Sequence, residues 1–217
     1  MNKLAKSFQA VGIGLLLAAI LLTAFNLWED QQASLQTAAA VADIRRVQQQ
    51  NTELAHPILP QSEEHQLPFY EEFPHVEMPI ITSNGVSYIG TLEIPSQSLT
   101  MSVISDWSYS NLKSSPCRYS GSAYTKDLIL CAHNYSTHFG CLASLAPGTQ
   151  LRFTDCDNNV FFYEVTSMEI LQPEDTETIQ QGDWDLTLFT CTLSGGSRVT
   201  LRCNLVHAIP FTAYCLC

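Results

Sequence analysis

Charge is scarce in this 217-residue chain, where Asp, Glu, Lys and Arg together make up 14%. Basic residues are scarcer still, 10 against 21 acidic ones, for a net charge of −11. Nucleic-acid binding is driven largely by basic side chains that displace counterions from phosphates, so neither DNA nor RNA is expected as a partner. Glycine and proline number only 10 each, which excludes a collagen-like chain, and a 46% hydrophobic content excludes a disordered one. A second apolar run long enough to span a bilayer is also missing, so the chain has one candidate membrane segment. No cysteine precedes Cys117. All eight lie between there and Cys217. In an extracellular setting an even count invites a disulfide framework, but Cys131 and Cys203 sit in apolar strands and read as buried small hydrophobes. Cys215-x-Cys217 is a weak candidate for a metal or redox pair.

The membrane segment is Ser7 to Trp28, 22 residues without a charge. As a helix it would be roughly 33 Å long, enough for a hydrocarbon core of about 30 Å. Lys3 and Lys6 precede it, and Glu29 and Asp30 follow it. This pattern places the N-terminus in the cytoplasm and the rest of the chain outside. Trp28 stands where an interfacial aromatic belongs. A cleaved signal peptide is the alternative, with small residues near Thr37 to Ala40 as the cleavage region, but the apolar run is long for that purpose. Residues 29–82 are expected to form a stalk. Gln31–Leu54 has weak amphipathic helical character, and prolines 57, 60, 68, 74 and 79 mixed with glutamates favour an extended linker. His56, His65 and His75 fall there without a ligand-like spacing.

Residues 83–217 are expected to fold as one mainly β domain. Strands are expected at Val86–Ile94, Leu99–Ile104, Leu128–Ala132, Gln150–Thr154, Val160–Met168, Leu186–Thr190 and Val199–Val206, bounded by Gly, Pro, Ser, Asn or Asp. Short helices fit Tyr109–Lys113, Phe139–Leu145 and Glu174–Gln180. Seven or eight irregularly spaced strands suggest a closed or nearly closed barrel.

The chemistry concentrates in Leu186–Cys203. Two strands joined through Ser194-Gly195-Gly196-Ser197 read as a hairpin. With a period of two, Leu186, Leu188, Val199, Leu201 and Cys203 face the core, while Phe189, Cys191 and Arg198 take the other face. A thiol beside a guanidinium is an activated pair: the cation favours thiolate, and its donors can hold an oxyanion. Leu128–Asn134 is an apolar strand ending in His133, a candidate proton carrier for covalent acyl transfer. A metal site at His133, His138, Cys141 and Cys131 is a rival reading, but it matches no common zinc spacing. Arg202 is a candidate for aiding the site or for pairing with an acid; the second fits better.

Thr187-Leu188-Phe189-Thr190-Cys191 resembles the Thr-Leu-x-Thr-Cys motif of sortases, the cysteine transpeptidases of Gram-positive bacterial surfaces. Arg198 falls where that family places an essential arginine. Ala132-His133-Asn134 is similar to its Gly-His-Asn motif, with Ala132 replacing the glycine. The likeness runs from about Tyr88 to Val206. It implies a sortase-like β-barrel behind a membrane anchor, with His133, Cys191 and Arg198 as catalytic residues, Asn134 and Phe189 along the substrate groove, and Thr190 on the groove or supporting it. Cys191 would attack the sorting signal of a secreted protein. A peptidoglycan-precursor or pilin amine would then take the acyl group from the thioester. No cofactor is implied, with calcium left open. His133-Asn134 followed by Phe139-Gly140-Cys141-Leu142 leans towards the class B pattern, although the segment before the cysteine strand is shorter than is usual there. The pilin-polymerising class is disfavoured because there is no Asp-Pro-aromatic lid. A non-catalytic, membrane-tethered scaffold or adhesion domain is the competing reading, and it predicts no preferentially reactive thiol.

Overall fold

The computed structural model describes residues 3–54, 68–192 and 195–211. Helix α1 spans Lys3–Leu54. Its apolar first half has the length and hydropathy to cross a membrane, and none of it is buried against the rest of the chain. Its second half behaves differently. Ala33, Thr37, Ala40, Val41, Ile44 and Gln48 are buried, and these positions recur every three to four residues, which makes one stripe on a helix. The stripe packs on β1 (Ile81–Ser83), β2 (Val86–Ile94) and β3 (Leu99–Ile104). Burying a side chain such as Ile44 is worth about 1.5–3 kcal/mol. Asp43 accepts a hydrogen bond from the Ser83 hydroxyl at 2.7 Å, and the Gln48 amide donates to the Asp155 carbonyl at 2.8 Å. The first part of the segment expected to stand off as a stalk therefore lies on the barrel as far as Gln48. The weak amphipathic pattern understated the helix because its buried stripe is built from alanine, threonine and glutamine as well as from large aliphatics. His56, His65 and the prolines between them fall outside the described residues, as does Cys215-x-Cys217.

The remaining strands are β4 (Cys117–Ser120), β5 (Leu128–Cys131), β6 (Gln150–Asp155), β7 (Val160–Leu171), β8 (Leu186–Cys191) and β9 (Arg198–Ile209). Their order is β1-β2-β3-β4-β5-β8-β9-β7-β6, and β6 pairs back onto β2. Eight strands thus close a ring, with β1 added at its side. Gly90 makes the closure possible. It has φ +151°, and a β-carbon there would run into the Thr154 carbonyl across the β2–β6 seam. Short helices α2 (Phe69–Glu72) and α3 (Thr176–Gln180), with 3₁₀ turns at Asn111–Lys113 and Leu142–Ser144, fill the connections.

The ring encloses the main core, which includes Leu92, Met101, Leu128, Leu130, Phe153, Tyr163, Leu186, Leu188, Leu201 and Cys203. A second cluster lies on the outer face. It joins Ala40 and Ile44 of α1 to Ile81, Tyr88, Ile104, Ile129, Cys131, Ile179 and Phe189. Strand β8 is consequently buried on both faces until Cys191, its last residue.

Candidate active site

Two ladders converge on the end of β8. β5 and β8 run parallel, with Cys131 opposite Phe189. The ladder continues one step past β5, where the Ala132 amide donates to the Phe189 carbonyl at 3.3 Å. The Thr190 hydroxyl donates to the Ala132 carbonyl at 2.8 Å. The next residues along the two chains are His133 and Cys191, so both emerge at the same end of adjacent strands. On the other side β9 runs antiparallel to β8, and Cys191 stands directly opposite Arg198. The Thr192 amide donates to the Ser197 carbonyl at 2.8 Å, closing the hairpin above this pair. Side chains at directly opposed positions share a face, so the thiol and the guanidinium are neighbours.

The surroundings differentiate the thiols. Cys191 is exposed, while Cys117, Cys131, Cys156 and Cys203 are buried and Cys141 is half-buried. Burial pushes the Cys131, Cys156 and Cys203 thiols up to about 12 and raises Cys117 further. At neutral pH these stay protonated and inert, because a thiolate in an apolar setting loses its hydration without compensation.

Arg198 is held from two sides. Its guanidinium sits 5.6 Å from the centroid of the Phe189 ring, and Nη2 donates to the Pro173 carbonyl at 3.1 Å. Its Nε–H is buried without a hydrogen-bond partner among the described residues. An unpaired charged donor beside an exposed thiol suits an oxygen that acquires charge only during reaction. Phe189, expected on the groove, is nearly covered by Arg198 and by Tyr119, whose ring meets it edge-on at 5.3 Å. Thr190, expected on the groove or in a supporting position, is buried and bonded to Ala132; it braces the cysteine strand against the histidine strand. Asn134 is half-buried at the start of the loop after β5.

His133 is half-buried, and its pKa is lowered, chiefly by burial; Glu29 on α1 opposes this shift and Lys113 adds to it. The loop beyond it carries His138, which is fully buried and lowered to about 4, first by burial and then by the charge of His133. Thr37 on α1 lies 3.2 Å from His138 Nε2 and donates its hydroxyl proton to the Ser114 carbonyl at 2.8 Å. That hydroxyl can then only accept from the imidazole, so Nε2 carries the proton. The bare Nδ1 is buried without a partner among the described residues.

Arg202 does not face the site. It is buried, bonds to Glu169, Thr187 and the carbonyls of Thr178 and Ile179, and so ties α3 to the barrel. Among the described residues no three His, Cys, Asp or Glu side chains gather closely enough to hold a metal. The residues that the sequence reading missed are Asp30 and Thr37 of α1. They share the spacing of the buried Ala33, Ala40 and Ile44, and that shared period was the available signal.

Comparison with known proteins supplies a family. The sortase domain family matches residues 92–206, more than half of the chain. No curated protein matches the sequence. Among solved structures, a sortase D5 transpeptidase of Clostridium perfringens is 19% identical, with a TM-score of 0.50, covering 58% of this chain and 83% of its own. Sortase E1 of Streptomyces coelicolor, solved with a tripeptide in its active site, is 18% identical with a TM-score of 0.52, covering 57% of this chain and 90% of its own. Sortase C-3 of Streptococcus pneumoniae is 16% identical with a TM-score of 0.51, covering 84% and 92%. At these identities the likeness is one of fold, a mainly β ring preceded here by an apolar helix. The three carry the labels D, E and C, so they lend no support to the class B leaning.

Proposed function

The chain belongs to the sortase family of cysteine transpeptidases, and from that premise we propose that it cleaves a C-terminal sorting signal of secreted proteins and transfers the acyl part to an amine of the cell wall or of a pilin. Cys191 gives its thiol proton to His133, and its sulfur attacks the scissile carbonyl carbon. The oxygen of the tetrahedral adduct takes the negative charge and is held by Arg198. The C–N bond then breaks, His133 gives its proton to the departing amine, and a thioester on Cys191 remains. An incoming amine loses a proton to His133, attacks the thioester and expels the thiolate. The observation that supports this reading best is the Cys191–Arg198 opposition on β8 and β9, with His133 ending the parallel neighbour β5. Cys191 is also the exposed thiol among those described.

The catalytic unit in this proposal is residues 83–217 together with the docked half of α1. The apolar half of α1 crosses the membrane once. Lys3 and Lys6 lie on the cytoplasmic side and the barrel outside, which follows the positive-inside bias.

The test is intact-mass spectrometry of the protein and of Cys191→Ala after mixing with peptides of the Leu-Pro-x-Thr-Gly and Asn-Pro-Gln-Thr-Asn types. An acyl adduct on the parent that is absent from the alanine variant is the expected result. A folded protein with a free Cys191 that acylates with neither peptide contradicts the proposal as stated.

A further inference from the structure

The membrane-anchor helix does more than tether the barrel. Two of its polar residues reach the loop that follows His133. The Asp30 carboxylate accepts from the Ser136 amide at 3.0 Å through one oxygen and from the Ser136 hydroxyl at 2.5 Å through the other. Two helical turns further on, Thr37 accepts from His138 and bonds to the Ser114 carbonyl and the Ser115 hydroxyl. Between these holds the loop is stitched to itself. The Phe139 amide donates to the His133 carbonyl at 3.2 Å, and the amides of His138 and Gly140 both donate to the Tyr135 carbonyl. The rings of His133, Tyr135 and His138 are adjacent, 5.1 and 5.4 Å apart by centroid.

A side chain that carries protons in two successive steps must be held within a fraction of an ångström of both partners. β5 ends at Cys131 and fixes only the approach to His133. The orientation beyond that point comes from the loop, and the outer anchors of the loop are on α1. We propose that Asp30 and Thr37 are positioning residues for the transpeptidation reaction: α1 clamps the loop from His133 to Cys141, and through it sets the His133 imidazole against Cys191. The anchor helix is then part of the catalytic machinery, and a barrel cut free of it loses activity as well as location. This inference rests on the transpeptidase reading above.

The experiment uses the full chain in lipid nanodiscs and compares the parent with Asp30→Ala/Thr37→Val and with Thr37→Ser, which keeps the hydroxyl. Amide hydrogen exchange of residues 133–141 reads the clamp without reference to activity. Steady-state kinetics with the peptide that acylates Cys191 read its consequence. The double variant should exchange faster in that segment while β8 and β9 stay protected. Its kcat should fall about tenfold with KM for the peptide little changed, and Thr37→Ser should behave as the parent. Unchanged exchange in the double variant overturns the clamp, whatever the activity. Faster exchange with an unaltered kcat overturns the positioning role, as does an equal loss in Thr37→Ser. A parent chain that turns over no peptide removes the transpeptidase reading and the catalytic part of this inference with it, while the exchange data still judge the clamp.

Discussion

Acidification should loosen the protein through His138, and the size of the effect follows from the structure. The imidazole is fully buried, donates Nε2–H to Thr37 and has no partner for Nδ1 among the described residues. Protonation would create a buried cation whose second N–H lacks an acceptor, with His133 nearby and Asp30 giving only partial compensation. The folded state therefore refuses a proton that the unfolded state accepts near its ordinary value of 6.5, and takes it up only at about 4. A histidine lowered on folding contributes its full stability above the unfolded value. That stability is lost as the pH falls from there towards the folded value. Between pH 8 and pH 5 the linkage amounts to about 2 kcal/mol, or roughly 4–8 °C in Tm for a protein of this size. His133, also lowered, acts in the same direction. Asp155, raised mainly by burial, acts in the opposite one. The assay that isolates His138 is a set of thermal melts from pH 8 to pH 5 on the parent and on His138→Gln. The variant should be less stable at pH 8 because the Thr37 bond is altered, but its Tm should fall by several degrees less on acidification. Parallel pH curves for the two proteins would refute the reasoning.

Other perturbations have equally definite outcomes. Limited iodoacetamide at neutral pH should label Cys191 first, and peptide mapping that finds Cys117, Cys131, Cys156 or Cys203 modified in the folded protein at a similar rate contradicts the burial described. Arg198→Ala should slow acylation of Cys191 about 10²- to 10³-fold, the usual effect of removing an oxyanion donor, with circular dichroism showing an intact barrel. Thr190→Val should cost about 1–3 kcal/mol in urea denaturation because it leaves the Ala132 carbonyl unpaired in a buried site. Arg202→Met should cost about 1–3 kcal/mol, since it orphans the Ile179 carbonyl and leaves that of Thr178 with the Gln181 amide alone, and proteolysis should then begin near α3.

Much of the barrel was legible because hydrophobic periodicity is a local property. Val86–Ile94 and Leu99–Ile104 coincide with β2 and β3 to the residue. β7 and β9 were recognised but run further than expected, because each ends in a partly exposed stretch that pairs with the other and carries polar residues. β4 was missed: Cys117-Arg118-Tyr119-Ser120 has no clear alternation and is a strand because β5 pairs with it on one side and β3, at Cys117, on the other. β1 was missed although Asn84-Gly85, both with positive φ, is a common signature of a two-residue hairpin turn.

At the site, the opposition of Cys191 and Arg198 followed from counting by twos across the hairpin. The proximity of His133 did not. It depends on β5 and β8 being neighbours, a pairing across more than fifty residues that no local pattern encodes, and it entered through the family motif. The period of two placed Phe189 and Cys191 on the face opposite the core but could not show that this face is covered up to Cys191, where α1 and its partners supply a second apolar cluster. The role of α1 in that cluster was hidden by a composition that resembles a linker.

The measurement that tests the central claim most directly is to locate the acyl group and follow its fate. After incubation with the reactive peptide, digestion and tandem mass spectrometry should place the adduct on Cys191, and addition of an amine such as triglycine should discharge it into a new peptide bond. An adduct on any other residue, or one that no amine can discharge, would contradict the account.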